Sequence, residues 1–297
     1  MGIRAKGESL AAYALLSPAI LIALLFVYVP AFDVLLLSFQ DWNLIGTDRG
    51  FAGLDNYAGL VSTGSDFPNA MIRTLEYGAI YIPASLAVGL GAALLLQRLN
   101  KGAEFFQVLY FVPSVTSIAV IAVVWSYLYN PQVGFFNSLL SMLGVGADRL
   151  PEYLNDPRSA LPAIATMGVW QSSGFVMLLC YTGLQGIPKH YHEAAAIDGA
   201  PMVLKFRKIV LPMLSPTLFF VVFMLLINSF QVFGPVAIMT RGRPLGSTDV
   251  VLYYIYRYAF QFFKAGPASA ASCIAFAAIF LCAAFQMKFG ERSVFYQ

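Results

Sequence analysis

The sequence predicts an all-α transmembrane protein with six spans, and two observations carry that expectation. The chain of 297 residues is 59% hydrophobic and only 11% charged, with a mean hydropathy of +0.72. Soluble domains carry about 25% charged residues, so this chain cannot clothe a water-facing surface of ordinary chemistry. The apolar residues also fall in blocks of about 20, the length a helix needs to cross a bilayer. Every backbone polar group must be paired inside the bilayer, which leaves helices or closed barrels, and the alternating dyads of a barrel strand are absent.

The first span is expected from about Ala12 to Phe39, with Pro18 and Pro30 inside it and Arg4 and Lys6 ahead of it. Its apolar run is too long for a signal peptide and no A-x-A site closes it, so it reads as retained. The second is expected at about Met71–Leu96 and the third at about Phe105–Tyr129. The fourth is placed at about Ala160–Leu184, the fifth at about Leu211–Thr240 and the sixth at about Ala268–Met287. Prolines inside spans, Pro83, Pro113, Pro162, Pro216 and Pro235, read as kinks that neighbouring groups can satisfy. Together these make one transmembrane domain over residues 1–297.

Orientation follows from Lys and Arg. With both termini in the cytoplasm, ten of the 18 fall inside and eight outside, and the inside loops are shorter. The stretches "QDWNLIGTDRGFAGLDNY" and "NPQVGFFNSLLSMLGVGADRLPEYLNDPRS" then lie outside, with turn residues and interfacial aromatics.

Other chemistries are excluded. A net charge of +3 with no basic run interleaved with aromatics gives no nucleic-acid surface. Cys180, Cys273 and Cys282 lie inside apolar blocks and form no disulfide or metal pattern. His190 and His192 are two apart, on different sides of a helix, so no metal ligation is expected. No catalytic constellation is apparent. No lysine follows a glycine, so no phosphate-cradling Gly-Lys-Ser/Thr loop exists. Ionisable residues are scarce in the spans: Asp33 and the i,i+3 pair Arg73 and Glu76 sit near outer ends. That scarcity argues against an ion- or proton-coupled secondary transporter acting alone, the main alternative function. A membrane scaffold is a third.

One segment interrupts the apolar blocks: "EAAAIDGAPMVLKFRKIVLP", from Glu193 to Pro212. Pro188 can open a short helix, Gly199 can stop it and Pro201 can open a second, with Met202, Phe206 and Ile209 on one face. Lys205, Arg207 and Lys208 leave the other side basic, beside anionic headgroups of membrane lipid. Three alanines give the first helix little bulk between Glu193 and Asp198. Such a helix either docks a soluble partner or tucks against its own spans, and the residues leave both readings open.

This segment resembles the EAA loop of inner-membrane permeases of ABC importers, through Glu193, Ala194, Ala195, Asp198, Gly199, Ala200, Phe206, Ile209, Leu211 and Pro212. The resemblance implies the six-helix type I ABC importer permease fold, with loop 187–210 cytoplasmic. It implies a coupling helix whose docking residues are Glu193, Ala194, Ala195, Ala196, Asp198, Gly199 and Ala200. It further implies two cytoplasmic ABC ATPase subunits, a second homologous permease and an extracytoplasmic substrate-binding protein, in a prokaryotic inner membrane. ATP and magnesium would sit on the ATPase, with no cofactor on this chain. "LLSPAILIALLFVYVPAFDVLLLSF" and "NSFQVFGPVAIMTRGRPLGST" are similar to the carbohydrate branch, alongside maltose and glycerol-phosphate permeases. Gly234 stands where that branch often has Asp, and Arg243 replaces one glycine, so the particular sugar is not fixed.

A sugar path needs hydrogen-bonding groups and aromatic faces, because hydroxyls leaving water must be re-paired. The candidates are Trp170, Gln171, Ser172 and Ser173 in span four, and Asn228, Ser229, Phe230 and Gln231 in span five. The same side chains could instead bond neighbouring helices.

Overall fold

The computed structural model describes residue 13 and residues 15–46, 50–99 and 101–290. Arg4, Lys6, Ala12, Arg49, Arg292 and both termini, on which part of the expected orientation rests, lie outside the described residues. In chain order the elements are α1 (Leu15–Leu37), strands β1 (Gln40–Asp41) and β2 (Gly50–Phe51), α2 (Asp55–Val61), α3 (Phe67–Gln97), α4 (Ala103–Val115) and α5 (Ile118–Leu128). There follow α6 (Phe135–Met142), α7 (Ala160–Gln185), α8 (Lys189–Ile197), α9 (Met202–Phe230), a single wide turn α10 (Val236–Thr240), α11 (Val251–Tyr256) and α12 (Ala265–Gly290). Five of these helices are long and apolar enough to cross a membrane, and the bent pair α4–α5 supplies a sixth crossing when counted as one.

One compact unit comprises the described residues up to Asp66 together with Ile255–Ile274. Within it, α1 has no buried residue along Leu24–Leu37. Its turn widens at Leu24–Tyr28, just ahead of Pro30, whose ring has no N–H to continue an ordinary ladder. A small polar clasp forms where α1 ends. Asn56 Nδ2 donates to Ser38 O and to Gln40 O, both at 2.9 Å, and the Tyr57 hydroxyl donates to Ser38 Oγ at 2.7 Å. The strands β1 and β2 pair antiparallel, Gln40 opposite Phe51. The start of α12 joins this clasp: Ala265 and Gly266 N–H both donate to Trp42 O, at 3.0 and 3.2 Å.

The second unit comprises Phe67–Tyr254 and the residues from Ala275 onward. Its centre is α7, which carries buried residues on every side, among them Ile164, Met167, Val176, Met177, Cys180 and Leu184. A helix apolar all round is a core helix. Its neighbours approach closely because glycines stand at the crossings. A Cβ on Gly89 of α3 would lie 2.5 Å from Val176 Cβ and 3.0 Å from Met177 N. A Cβ on Gly168 would lie 2.5 Å from the Tyr77 hydroxyl, and one on Gly183 2.6 Å from Thr217 Oγ1 of α9.

Two spans differ in shape from the expected ones. The third is not one rod: α4 and α5 meet at 95° across Thr116 and Ser117. The fifth helix begins at Met202 rather than Leu211 and stops at Phe230, so the basic segment before Pro212 is continuous with the apolar part of the same helix. A wide turn at Phe206–Val210 lets the helix run on into Pro212, which cannot donate to an ordinary i→i−4 bond. The 130–159 stretch folds back over α5 as an aromatic cap. Trp125, Tyr129, Phe136 and Tyr153 pack ring against ring, with centroids 4.9–6.0 Å apart. Asn137 Nδ2 ties the loop by donating to Pro131 O at 3.1 Å and Pro151 O at 3.2 Å.

The glycine crossings make a direct prediction. Gly89→Ala forces a methyl into Val176 and destabilises by about 1–3 kcal/mol, the cost of overpacking. Gly91→Ala, two residues away with nothing within 4 Å of its Cβ position, does not destabilise and raises stability by up to about 1 kcal/mol, the helix preference of alanine over glycine. Thermal unfolding of the two variants in detergent checks the difference.

Candidate functional site

The candidate residues of the second unit gather at two places: the turn between α8 and α9, and a cavity beside α7.

The turn is built by local rules. Pro188 caps α8 in an extended conformation, φ −61° and ψ 136°. At the other end Gly199 takes φ +65°, where only glycine is unstrained. Its N–H donates to Ala196 O at 3.1 Å, and the Ala200 N–H reaches Ala195 O at 2.9 Å. That pair of bonds is a Schellman motif, and it explains why the stretch reads Asp-Gly-Ala. Pro201 then caps α9. The predicted docking residues split between two faces. Ala195 is buried, whereas Glu193, Ala194, Ala196, Asp198 and Gly199 are exposed and Ala200 is half-buried. One alanine tucks inward while its neighbours face outward. Ile197, which sequence reasoning did not single out, is 86% exposed between the open alanines and Asp198. A lone large apolar residue at the tip of a polar turn was the available signal.

His192 packs inward from the same helix, with its Nδ1 buried and without a hydrogen-bond partner. Desolvation first, and the positive charge of Lys205 second, hold its pKa below the ordinary histidine value.

The cavity has a volume of about 350 Å³ and lies among α3, α4, α5, α7 and α9. Its polar wall is Ser114, Gln171, Ser172, Asn228 and Gln231, and its aromatic wall is Tyr77, Tyr81, Phe111 and Phe175. Tyr77 and Tyr81 stack with centroids 5.3 Å apart and planes 17° apart. Their i,i+4 spacing was the signal by which sequence reasoning could have found them. Among the described residues the side chains of Asn228 and Gln231 have no hydrogen-bond partner and are exposed. Such amides need either water or a polar solute.

Gln171, Ser172, Asn228 and Gln231 are thus brought together, with the Ser172 hydroxyl donating to Ser85 Oγ at 2.9 Å. The other expected path residues lie elsewhere. Trp170 faces a separate apolar groove with Leu96, Phe106 and Tyr110 and packs on Trp125 at 5.6 Å. Ser229 is buried against Gly78, its hydroxyl donating to Leu226 O at 2.7 Å. Phe230 is buried. Ser173 is buried too, donating to Trp170 O at 2.9 Å.

A pH dependence follows from His192. Its folded pKa is depressed, so its contribution to the fold is complete above the unfolded value and is lost as pH falls toward the folded one. Titration of His192 by NMR gives a midpoint below the ordinary histidine value, and Lys205→Ala moves it back up.

The chain is similar to known proteins over most of its length. Residues 85–295 match the family model described as "Binding-protein-dependent transport system inner membrane component". The chain is 33% identical over 280 residues to "Probable ABC transporter permease protein YurN" of Bacillus subtilis (strain 168), covering 93% of this chain and 94% of that one. It is 31% identical over 292 residues to the sn-glycerol-3-phosphate transport system permease protein UgpA of Brucella abortus biovar 1 (strain 9-941), covering 96% of each. Its fold matches a chain in the crystal structure of a bacterial ABC transporter involved in the import of the acidic polysaccharide alginate. The TM-score is 0.83 at 22% identity, over 97% of this chain and 98% of that one. The expected type I importer permease fold is therefore the fold observed. With a family model over most of its length and relatives aligned end to end, the chain belongs to the binding-protein-dependent inner membrane components, the permease subunits of ABC transporters.

Proposed function

We propose that this chain acts as one permease domain of an ATP-driven, binding-protein-dependent importer of a carbohydrate. One observation carries the reading. Helix α9 runs unbroken from Met202, at the exposed turn, to Phe230, past Asn228 in the cavity wall. At 1.5 Å per residue its 29 residues span about 44 Å. Whatever grips the turn therefore moves the cavity wall directly, with no loop between them to absorb the motion.

The gripping partner is a cytoplasmic ABC ATPase, met by Glu193, Ala194, Ala196, Ile197, Asp198 and Gly199, with Ala195 and Ala200 backing that face. Two such ATPase subunits, carrying the ATP and magnesium, serve this chain and a second homologous permease. An extracytoplasmic binding protein delivers the solute. The assembly sits in a prokaryotic inner membrane, with the termini of this chain and the α8–α9 turn in the cytoplasm. Closure of the ATPase dimer on ATP drives the turns together, the spans open outward, and hydrolysis resets them; each state is favoured by its own contacts. In the cavity, unpaired amides re-pair sugar hydroxyls while the tyrosine faces cover apolar ring edges. The glycerol-phosphate relatives and the resemblance of span five support the carbohydrate class.

Charge reversal at the turn tests the coupling. In proteoliposomes holding the whole importer, Glu193→Lys lowers ATP-dependent uptake of the delivered solute by about tenfold or more, equivalent to about 1.4 kcal/mol. Insertion and thermal stability stay normal. Asn228→Leu leaves ATPase docking intact and raises the KM for uptake. Uptake that persists after the ATPase is inactivated would instead favour a carrier working alone.

A further inference from the structure

One part of the cavity wall does more than face a solute. At the crossing of α4 and α7 no side chain separates the backbones. A Cβ on Gly174 would overlap the Tyr110 carbonyl oxygen, and it would stand 2.8 Å from Ser114 Oγ and 3.0 Å from Phe111 Cα. This approach drives the Ser114 hydroxyl into the backbone of α7. It donates to Gln171 O at 2.7 Å and accepts from the Phe175 N–H at 3.1 Å. Those two groups are four residues apart, the acceptor and donor of one rung of an α-helix. A single side chain on α4 thus straddles a rung of α7.

Two residues beyond Ser114 the third span breaks, turning 95° into α5. The Gln171 side chain reaches across to that break, its Nε2 donating to Thr116 O at 3.5 Å. Gln171 therefore holds the bend twice, by its carbonyl through Ser114 and by its amide through Thr116. Both residues 114 and 171 line the cavity.

We propose that Ser114 is a positioning residue for transport, a latch that pins the α4–α5 bend to α7 in one access state and releases it in the other. The inference rests on the importer reading and goes beyond it. The chemistry of release is balanced. Latched, the Ser114 hydroxyl donates to Gln171 O and its oxygen accepts from the Phe175 N–H. Unlatched, the Phe175 N–H has Gln171 O, the acceptor of its own rung, and the hydroxyl turns back to the Tyr110 carbonyl four residues earlier on its own helix. No polar group is left bare in an apolar interior, where that would be costly. A switch needs two states of similar free energy that outside contacts can tip, and this exchange supplies them.

The test reads the access state without needing the solute. In the assembled importer, with Cys180, Cys273 and Cys282 changed to Ala, Asn228→Cys reports cavity access to a membrane-impermeant cationic methanethiosulfonate added outside. Its reaction rate is compared between the nucleotide-free and vanadate-trapped states. With Ser114 present the two rates differ; with Ser114→Ala the difference shrinks by about fivefold or more, as expected when a pair of hydrogen bonds favouring one state is lost. Ser114→Thr, which keeps the hydroxyl, restores the difference. An unchanged ratio in Ser114→Ala overturns the latch. If that variant fails to assemble, Ser114→Val, which has the shape of the threonine variant without its hydroxyl, is compared with Ser114→Thr, and an equal ratio in the two overturns the proposal. Rates that ignore nucleotide even with Ser114 present would count against the importer reading, not the latch.

Discussion

The structure depends on helices approaching α7 more closely than any side chain at its glycines would allow. In a bilayer no hydrophobic force drives one apolar helix against another, so association rests on close packing and on interhelical hydrogen bonds. Gly168, Gly174 and Gly183 meet three different neighbours along a single helix, the Tyr77–Tyr81 face, α4 and α9. Gly89 serves the same end from the α3 side. Each contact trades a side chain for proximity, and the hydrogen bonds of Ser114 and Ser172 become possible only at that distance. The cavity is the space left where these crossings diverge.

The turn between α8 and α9 solves a different problem. It must be firm while facing water, with little of its own surface buried. Its firmness comes from backbone chemistry: a proline at each helix start, a Schellman closure, and one inward alanine. The side chains are thereby left free for an outside surface. Glu193, Asp198 and Ile197 owe the local fold nothing and can be spent on recognition.

Legibility divided along the same line. The α8–α9 turn could be read from sequence because prolines, Gly199 and alanines act over a few residues. Span four was legible because Ala160–Gln185 is largely apolar and carries no charged residue. Gln171, Asn228 and Gln231 stood out as amides in apolar runs. Which way a polar residue faces is settled by neighbours, so Ser229, one position from Asn228, ended buried against Gly78. Tyr77 and Tyr81 were passed over because aromatic residues in a span also suit lipid. Prolines were the least readable. Pro83 and Pro216 lie inside continuous helices, whereas the span holding Pro113 breaks a few residues later. The difference lies in α7, which receives the displaced segment through Ser114 and Gln171, and nothing local to Pro113 announces that.

The unbroken course of α9 has a consequence for how such a gene can change. Each residue in a helix carries its successor through about 100° of rotation and 1.5 Å of rise. A single codon gained or lost between Met202 and Asn228 would leave the composition and hydropathy of the span almost untouched. It would nonetheless turn the Asn228 amide out of the cavity, or swing the α8–α9 turn about 100° out of phase with it. Point substitutions along this helix can be absorbed one at a time, but its length is held in phase, whereas the 130–159 loop has no comparable register to keep.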